Sequence, residues 1–170
     1  MTVRRIPIDH YVISAFPGTG KTTAAKTRST GVYRIIDLES SQWSHDSTGS
    51  VNPEFPKNYV DAIEKALRKN TFVLVSSHEK VRMELDKRRI RFVYVVPGIN
   101  DKTVYLKRYK ARGNTPAFIE NVRRNWDKWL SPNAYRGTDV VLTLEPYQHI
   151  TDIIYRIKHD ERLRSQIAGA

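Results

Sequence analysis

The segment Tyr11–Thr22 constrains this chain more than any other. Tyr11–Phe16 is a short apolar run of the length expected for a buried strand, and it opens directly into Pro17-Gly18-Thr19-Gly20. Lys21 and Thr22 follow, and Lys21–Arg28 is rich in helix-compatible residues. Strand, glycine turn, Lys-Thr and helix, in that order, is the pattern of a phosphate-binding loop, with Ala15 in place of the first glycine. The spacing has a chemical reason. Glycines let backbone N–H groups turn inward around phosphate oxygens, and a helix start adds partial positive charge. Lys21 is then placed to reach β- and γ-phosphates, the Thr22 hydroxyl to coordinate Mg²⁺, and Thr23 to donate to an α-phosphate. Ala15 is tolerable because that position only begins the turn. Ala15, Gly18, Thr19, Gly20, Lys21, Thr22 and Thr23 are therefore the expected contacts to a nucleotide such as ATP.

The rest of the chain alternates strands and helices. Val32–Leu38 and Phe72–Val75 are β-branched or aromatic, Arg91–Val96 ends at Pro97-Gly98, and Asp139–Leu144 completes five strands. Helices are expected after Pro56, through Val81 and Leu85, over Asp101–Arg112, from Pro116, and as a single closing helix over Ile150–Ile167. Glu39–Pro56 reads as a long polar loop. The alternation predicts an α/β, three-layer fold: a five-stranded parallel sheet with helices on both faces and ligands beyond the carboxyl ends of the strands. At 170 residues, with no repeat or linker, one domain over 1–170 is expected.

Basic residues outnumber acidic ones 29 to 18, a formal charge of +11. Anionic partners follow: nucleotides, or a nucleic acid drawn to the basic surface. A solvated basic face that aids solubility is the alternative. The absence of cysteine excludes disulfides, thiolate metal sites and cysteine nucleophiles. No apolar run approaches the roughly 20 residues that span a bilayer, and Met1–Asp9 lacks an apolar stretch behind it. The expectation is a cytoplasmic protein with no membrane partner.

Further candidates lie after the later strands. Arg108 and Arg112 are four apart on a predicted helix and share a face, suited to the charge that spreads over a transferring phosphoryl group. A solvated basic face is again the alternative, as it is for Arg123 and Arg124. Residues 108–136, with a Gly113-Asn114 hinge and Ser131-Pro132 beyond, read as a lid-like insert. The stripe Phe118, Trp126 and Trp129 on its second helix reads as core packing rather than a stacking platform. Asp37, Glu39, Ser40 and Ser41 end the second strand and are expected to hold Mg²⁺ waters, to grip an acceptor, or to cap the strand end. The third strand ends in Ser76-Ser77-His78, where many phosphate-loop proteins carry a magnesium-directed aspartate; Asp37 is the substitute, or Thr22, phosphates and water suffice. Arg82, one turn beyond His78, is either an acceptor-phosphate ligand or a surface residue.

Ala-Phe-Pro-Gly-Thr-Gly-Lys-Thr-Thr, the element order, and Arg108-Tyr-Lys-Ala-Arg112-Gly113 together resemble the nucleoside monophosphate kinase branch of P-loop kinases, which includes adenylate kinase and phage-type deoxynucleoside monophosphate kinases. The resemblance implies that Arg108 packs on the adenine of ATP, that Arg112 contacts phosphates, that the adenine rests near Glu145-Pro146-Tyr147, and that Arg82 binds the acceptor phosphate. The family's Asp-Gly-Phe-Pro-Arg segment is replaced by Ser76-Ser77-His78-Glu79. Small size and absence of cysteine point to a viral member, hence to host cytoplasm. Three functions are expected in this order: ATP- and Mg²⁺-dependent phosphorylation of a (deoxy)nucleoside monophosphate; a kinase acting on a hydroxyl, such as a polynucleotide 5′-end or a nucleotide sugar, with Asp37 or Asp46 as base; and a nucleotide-dependent switch without turnover.

Overall fold

The structure, a computed structural model, describes residues 10–26, 33–135, 138 and 140–169. Strand β1 (His10–Ala15) runs up the middle of the sheet and is buried from Tyr11 onward. It pairs with β3 (Thr71–Ser76) on one side and β4 (Phe92–Pro97) on the other. Strand β2 (Arg34–Asp37) lies outside β3, and β5 (Val140–Leu144) outside β4. The order is β2-β3-β1-β4-β5 and every pair is parallel. Continuous apolar runs such as Phe72-Val-Leu-Val75 suit a parallel sheet covered on both faces.

Alternation along each strand divides the core. Val12, Val73, Val75, Tyr94 and Val96 face one cluster, shared with α3 (Lys57–Ala66), α4 (Glu79–Lys87), α5 (Lys102–Ala111) and α6 (Pro116–Trp129). Ile13, Ala15, Phe72, Leu74, Val93 and Val95 face the other, shared with α1 (Lys21–Lys26), α7 (Ile150–His159) and α8 (Glu161–Ala168). The α/β three-layer architecture read from the sequence is thus present. Thr27, Arg28, Val32 and Asp139, at the edges of expected elements, lie outside the described residues.

Two details differ from expectation. The closing helix is two helices, because Asp160 leaves helical geometry (φ −105°, ψ 100°) and its side chain accepts from Leu163 N–H as the cap of α8. The polar stretch after β2 is also structured: α2 (Ser41–Ser44) is followed by an antiparallel bridge from His45 to Val51. Asn58 Nδ2 donates to Trp43 O at 2.9 Å, and the Trp43 ring packs on Tyr59 at 5.2 Å.

Topology positions the site. The chain leaves β1 for β2 at one edge, returns to β3, and then crosses to β4 on the other side of β1. A crevice at the carboxyl end of β1 follows. Ala15 is level with Ser76 of β3 and Val95 of β4 there.

Residues 108–136, read as a lid-like insert, are anchored to the main core, with Arg136 outside the described residues. Trp126 is fully buried, its ring is 5.5 Å from Phe16 and 5.6 Å from Tyr105, and its Nε1 donates to Ile99 O at 2.7 Å. Trp126→Ala should therefore destabilise the whole domain by about 3–5 kcal/mol. Urea unfolding checks this: the midpoint should fall with an unchanged slope, whereas a loosely attached lid would leave the midpoint in place.

Candidate active site

The loop after β1 is fixed by its carbonyls. Ala15 O accepts from Lys21 Nζ at 2.9 Å, and Phe16 O from Thr19 Oγ1 at 2.7 Å. Pro17 O accepts from Tyr109 Oη at 2.7 Å, Gly18 O from Arg108 Nη1 at 2.7 Å, and Thr19 O from Ile150 N at 2.9 Å. In a trans peptide unit the C=O and the N–H point in opposite directions. Braces on these successive carbonyls therefore turn the N–H groups of Gly18, Thr19 and Gly20 to the opposite side of the loop. Gly18 sits at φ +79°, and a Cβ there would lie 2.6 Å from Tyr109 Cε1, so both the backbone angle and the packed tyrosine require glycine.

Lys21 is half-buried beneath this loop. Burial pushes its ammonium down to about 8; Asp37 and Glu39 act in the opposite direction and Arg112 reinforces the fall. Thr22 Oγ1 donates to Asp37 Oδ2 at 3.0 Å. Strand β2 is not a neighbour of β1, since β3 intervenes, yet Asp37 at its end reaches the loop because α1 packs beside β2. Asp37 Oδ1 is buried and has no hydrogen-bond partner. A carboxylate oxygen left this way beside a threonine hydroxyl fits a divalent cation with oxygen ligands, the Mg²⁺ expected at Thr22 and Asp37. Among the described residues no cluster of three or more His, Cys, Asp or Glu side chains forms a metal cage. Any magnesium would accordingly share its coordination with phosphates and water.

A cavity of about 540 Å³ opens beside the loop. Gly18, Gly20, Lys21 and Thr22 form one wall, Glu39, Ser40, Ser76, Ser77 and His78 a second, and Tyr109, Arg112, Asn114, Phe118, Asn121 and Trp129 a third. Tyr59 braces the strand ends beneath, donating to Leu38 O at 2.5 Å and accepting from Ser76 N at 3.1 Å. His78 Nδ1 lies 3.0 Å from Ser76 Oγ, and burial holds its imidazole below the ordinary histidine value.

The expected site residues separate. Lys21, Thr22, Glu39, Ser40 and Arg112 meet at the cavity, and Asp37 touches it through Thr22. Ser41, in the first turn of α2, is exposed, with its N–H toward Glu39 Oε1 at 3.4 Å. Thr23 is exposed on α1. Arg108 shares a face with Arg112 but does different work. Its guanidinium lies 4.4 Å from the Tyr105 ring and joins Gly18 O to Pro146 O, at 2.7 and 3.0 Å, so it ties the loop after β1 to the loop after β5.

Arg82 corrects the reading of a surface residue. It is buried, lies 4.2 Å over the Tyr94 ring, and donates to Ala134 O and to the backbone of Ser77, while its own side chain does not line the cavity. Arg123 is not brought to the cavity either: it pairs with Glu120 through two 2.7 Å bonds on the exposed side of α6. The aromatic stripe is divided, since Trp126 is core while Phe118 and Trp129 line the cavity. Asn114, Asn121, Ser77 and Tyr109 were not singled out as site residues. For Phe118, Asn121, Val122 and Trp129 the signal was helical spacing, which places them on one face.

No protein-family model matches the chain, and no curated protein matches it. Among solved structures, a mouse sulfotransferase complexed with PAP aligns over 96% of this chain at 13% identity and a TM-score of 0.42. The chain spans 59% of that protein's length. At that distance the likeness carries no functional argument. Among the described residues no helix is long and apolar enough to cross a membrane.

Lys21 makes the site pH-dependent in a signed way. Between about pH 8 and 10 the empty site holds a mostly neutral lysine while an unfolded chain holds a charged one. Stability of the ligand-free protein should rise over that window, because the unfolded state binds more protons. Polyphosphate binding should weaken over the same window, by up to about tenfold per pH unit, because binding must take up a proton. Thermal melts with and without pyrophosphate will show these opposite slopes, and Lys21→Met should remove both.

Proposed function

We propose that this chain is a Mg²⁺-dependent phosphotransferase that moves the γ-phosphoryl group of ATP to a (deoxy)nucleoside monophosphate. The observation that carries the reading is the loop Ala15–Thr22, with successive carbonyls braced outward, its N–H groups on the opposite side and the Lys21 ammonium beneath, at the mouth of a cavity large enough for a second substrate. A nucleoside triphosphate would lie with its phosphates on this loop and its base toward Arg108, Pro146 and Tyr147. Tyr147 is 77% exposed and available to a flat ring.

In transfer, an oxygen of the acceptor phosphate attacks the γ-phosphorus as the bond to the β–γ bridging oxygen breaks, giving two diphosphates. The acceptor oxygen is already anionic, so no strong base is required. Lys21 and Arg112 supply positive charge to the oxygens on which negative charge develops, and the braced loop holds its N–H groups in place beforehand. Thr22 and Asp37 would hold Mg²⁺, which when bound offsets the charge of the phosphates. With Arg82 turned away, Arg112 is the arginine left to meet the acceptor phosphate.

A second reading, transfer to a hydroxyl, is favoured by one observation. His78 lines the cavity with Nδ1 engaged by Ser76, and desolvation disfavours the charged form of its ring. In the tautomer that donates from Nδ1, Nε2 has a lone pair for a hydroxyl proton. A polynucleotide 5′-end would suit the charge of +11 and should then bind with steep salt dependence.

An assay with γ-labelled ATP and Mg²⁺, offering nucleoside monophosphates beside a 5′-hydroxyl oligonucleotide, tests both. Label in a diphosphate is expected, with Lys21→Ala reducing the rate about 100- to 1000-fold and His78→Ala leaving it within about threefold, since an ionised acceptor needs no base. Label on the oligonucleotide, lost in His78→Ala, would replace the first reading with the second. Full activity of Lys21→Ala would overturn both.

A further inference from the structure

The wall of the cavity opposite the strand ends is built differently from the rest. Phe118 and Trp129 present apolar surface from one face of α6, where Val122 is fully buried, and two carboxamides line the same wall, Asn114 just before the helix and Asn121 within it. The aromatic rings are held by core rings behind them: Phe118 lies edge-to-face with Tyr109 at 5.3 Å, and Trp129 with Phe16 at 6.2 Å. They are therefore fixed surfaces rather than free side chains.

The amides are unequal. Asn121 Oδ1 accepts from Asn125 Nδ2 at 2.9 Å, which leaves the Asn121 amide hydrogens as donors toward a ligand. Asn114 Oδ1 is the reverse case, a buried acceptor with no hydrogen-bond partner. Such a group is costly unless a donor arrives. The wall thus combines an acceptor without a partner, an amide donor and aromatic rings. A phosphate or a bare sugar phosphate has no use for the apolar part. A nucleobase matches all three, because its edge carries an N–H beside a ring nitrogen or carbonyl and its faces stack.

We infer that this wall, Asn114, Phe118, Asn121 and Trp129, is the base-recognition site of the acceptor, with an N–H of the base donating to Asn114 Oδ1 and a base acceptor receiving from Asn121 Nδ2. The inference rests on the reading of the cavity as the acceptor's chamber. It divides the two substrates' bases between separate places: the acceptor's on α6, the donor's on the outer side of Arg108.

Calorimetric binding tests it without turnover. The probes are the common ribo- and deoxynucleoside monophosphates, ribose 5-phosphate as the same phosphate without a base, and ATP. The variants are Asn114→Leu and Phe118→Leu. At least one monophosphate should bind wild type at least tenfold tighter than ribose 5-phosphate. Each variant should weaken that monophosphate about tenfold while leaving ribose 5-phosphate and ATP within twofold. Asn114→Leu should also leave the ligand-free melting temperature unchanged or raised, since it removes an unsatisfied buried acceptor; a lowered one would mean that the oxygen is already satisfied, and would overturn the assignment. Equal losses for ribose 5-phosphate, or losses for ATP alone, would overturn it as well. Base-dependent binding without transfer of label would uphold this site while rejecting the phosphotransferase reading, so the two fail separately.

Discussion

The structure depends on a set of donors aimed at one short stretch of backbone. Pro17, Gly18 and Thr19 each surrender a carbonyl to a later element, the first two to Tyr109 and Arg108 of α5 and the third to the first turn of α7. Those elements come from opposite faces of the sheet. The loop is therefore clamped where the two halves of the core meet, and its peptide planes cannot rotate without breaking charged or buried hydrogen bonds. Orientation of N–H groups before a ligand arrives is what an anion site needs, since the cost of ordering has been met in folding.

The charges around the loop follow from burial. Lys21 sits where its charge is poorly solvated, and the carboxylates of Asp37 and Glu39 partly support it. Arg112 across the cavity works against it. Lys21 and Arg112 thus bring two cationic side chains to one cavity. Elsewhere basic side chains are neutralised locally: Arg88 is bound by Asp61, Glu64 and Glu84, and Arg123 and Arg124 share Glu120. The formal charge of +11 is already net of such pairs, and the cations at the cavity, rather than the total, bear on the choice of ligand.

Helix α6 serves both the core and the cavity wall. One edge of its apolar stripe, at Trp126, completes the core, and the adjacent edge, at Phe118 and Trp129, faces the cavity. Read along the chain, these positions are one amphipathic stripe, which is why core packing was the natural expectation for all of them. Which edge becomes core is decided by Phe16 and Tyr105, residues more than a hundred and about twenty positions away in the chain.

The sequence by itself determined the layered α/β architecture, the strand–loop–helix at Ala15–Thr22 with Lys21 and Thr22 at its end, and the shared helix of Arg108 and Arg112, because those rest on local spacing: apolar alternation, glycine turn chemistry and residues four apart on a helix. The break at Asp160 was also local but was hidden inside a continuous apolar periodicity. Only the tertiary structure decided the fate of Arg82, which spacing placed near an acceptor and packing turned onto Tyr94 and Ala134. It likewise decided the role of Arg108, the reach of Asp37 to Thr22 across an intervening strand, and the exposure of Asn114 to the cavity. Each of these depends on which side of the sheet a helix lies and how it is rotated about its axis. Long-range contacts set both, and no short window of sequence contains them.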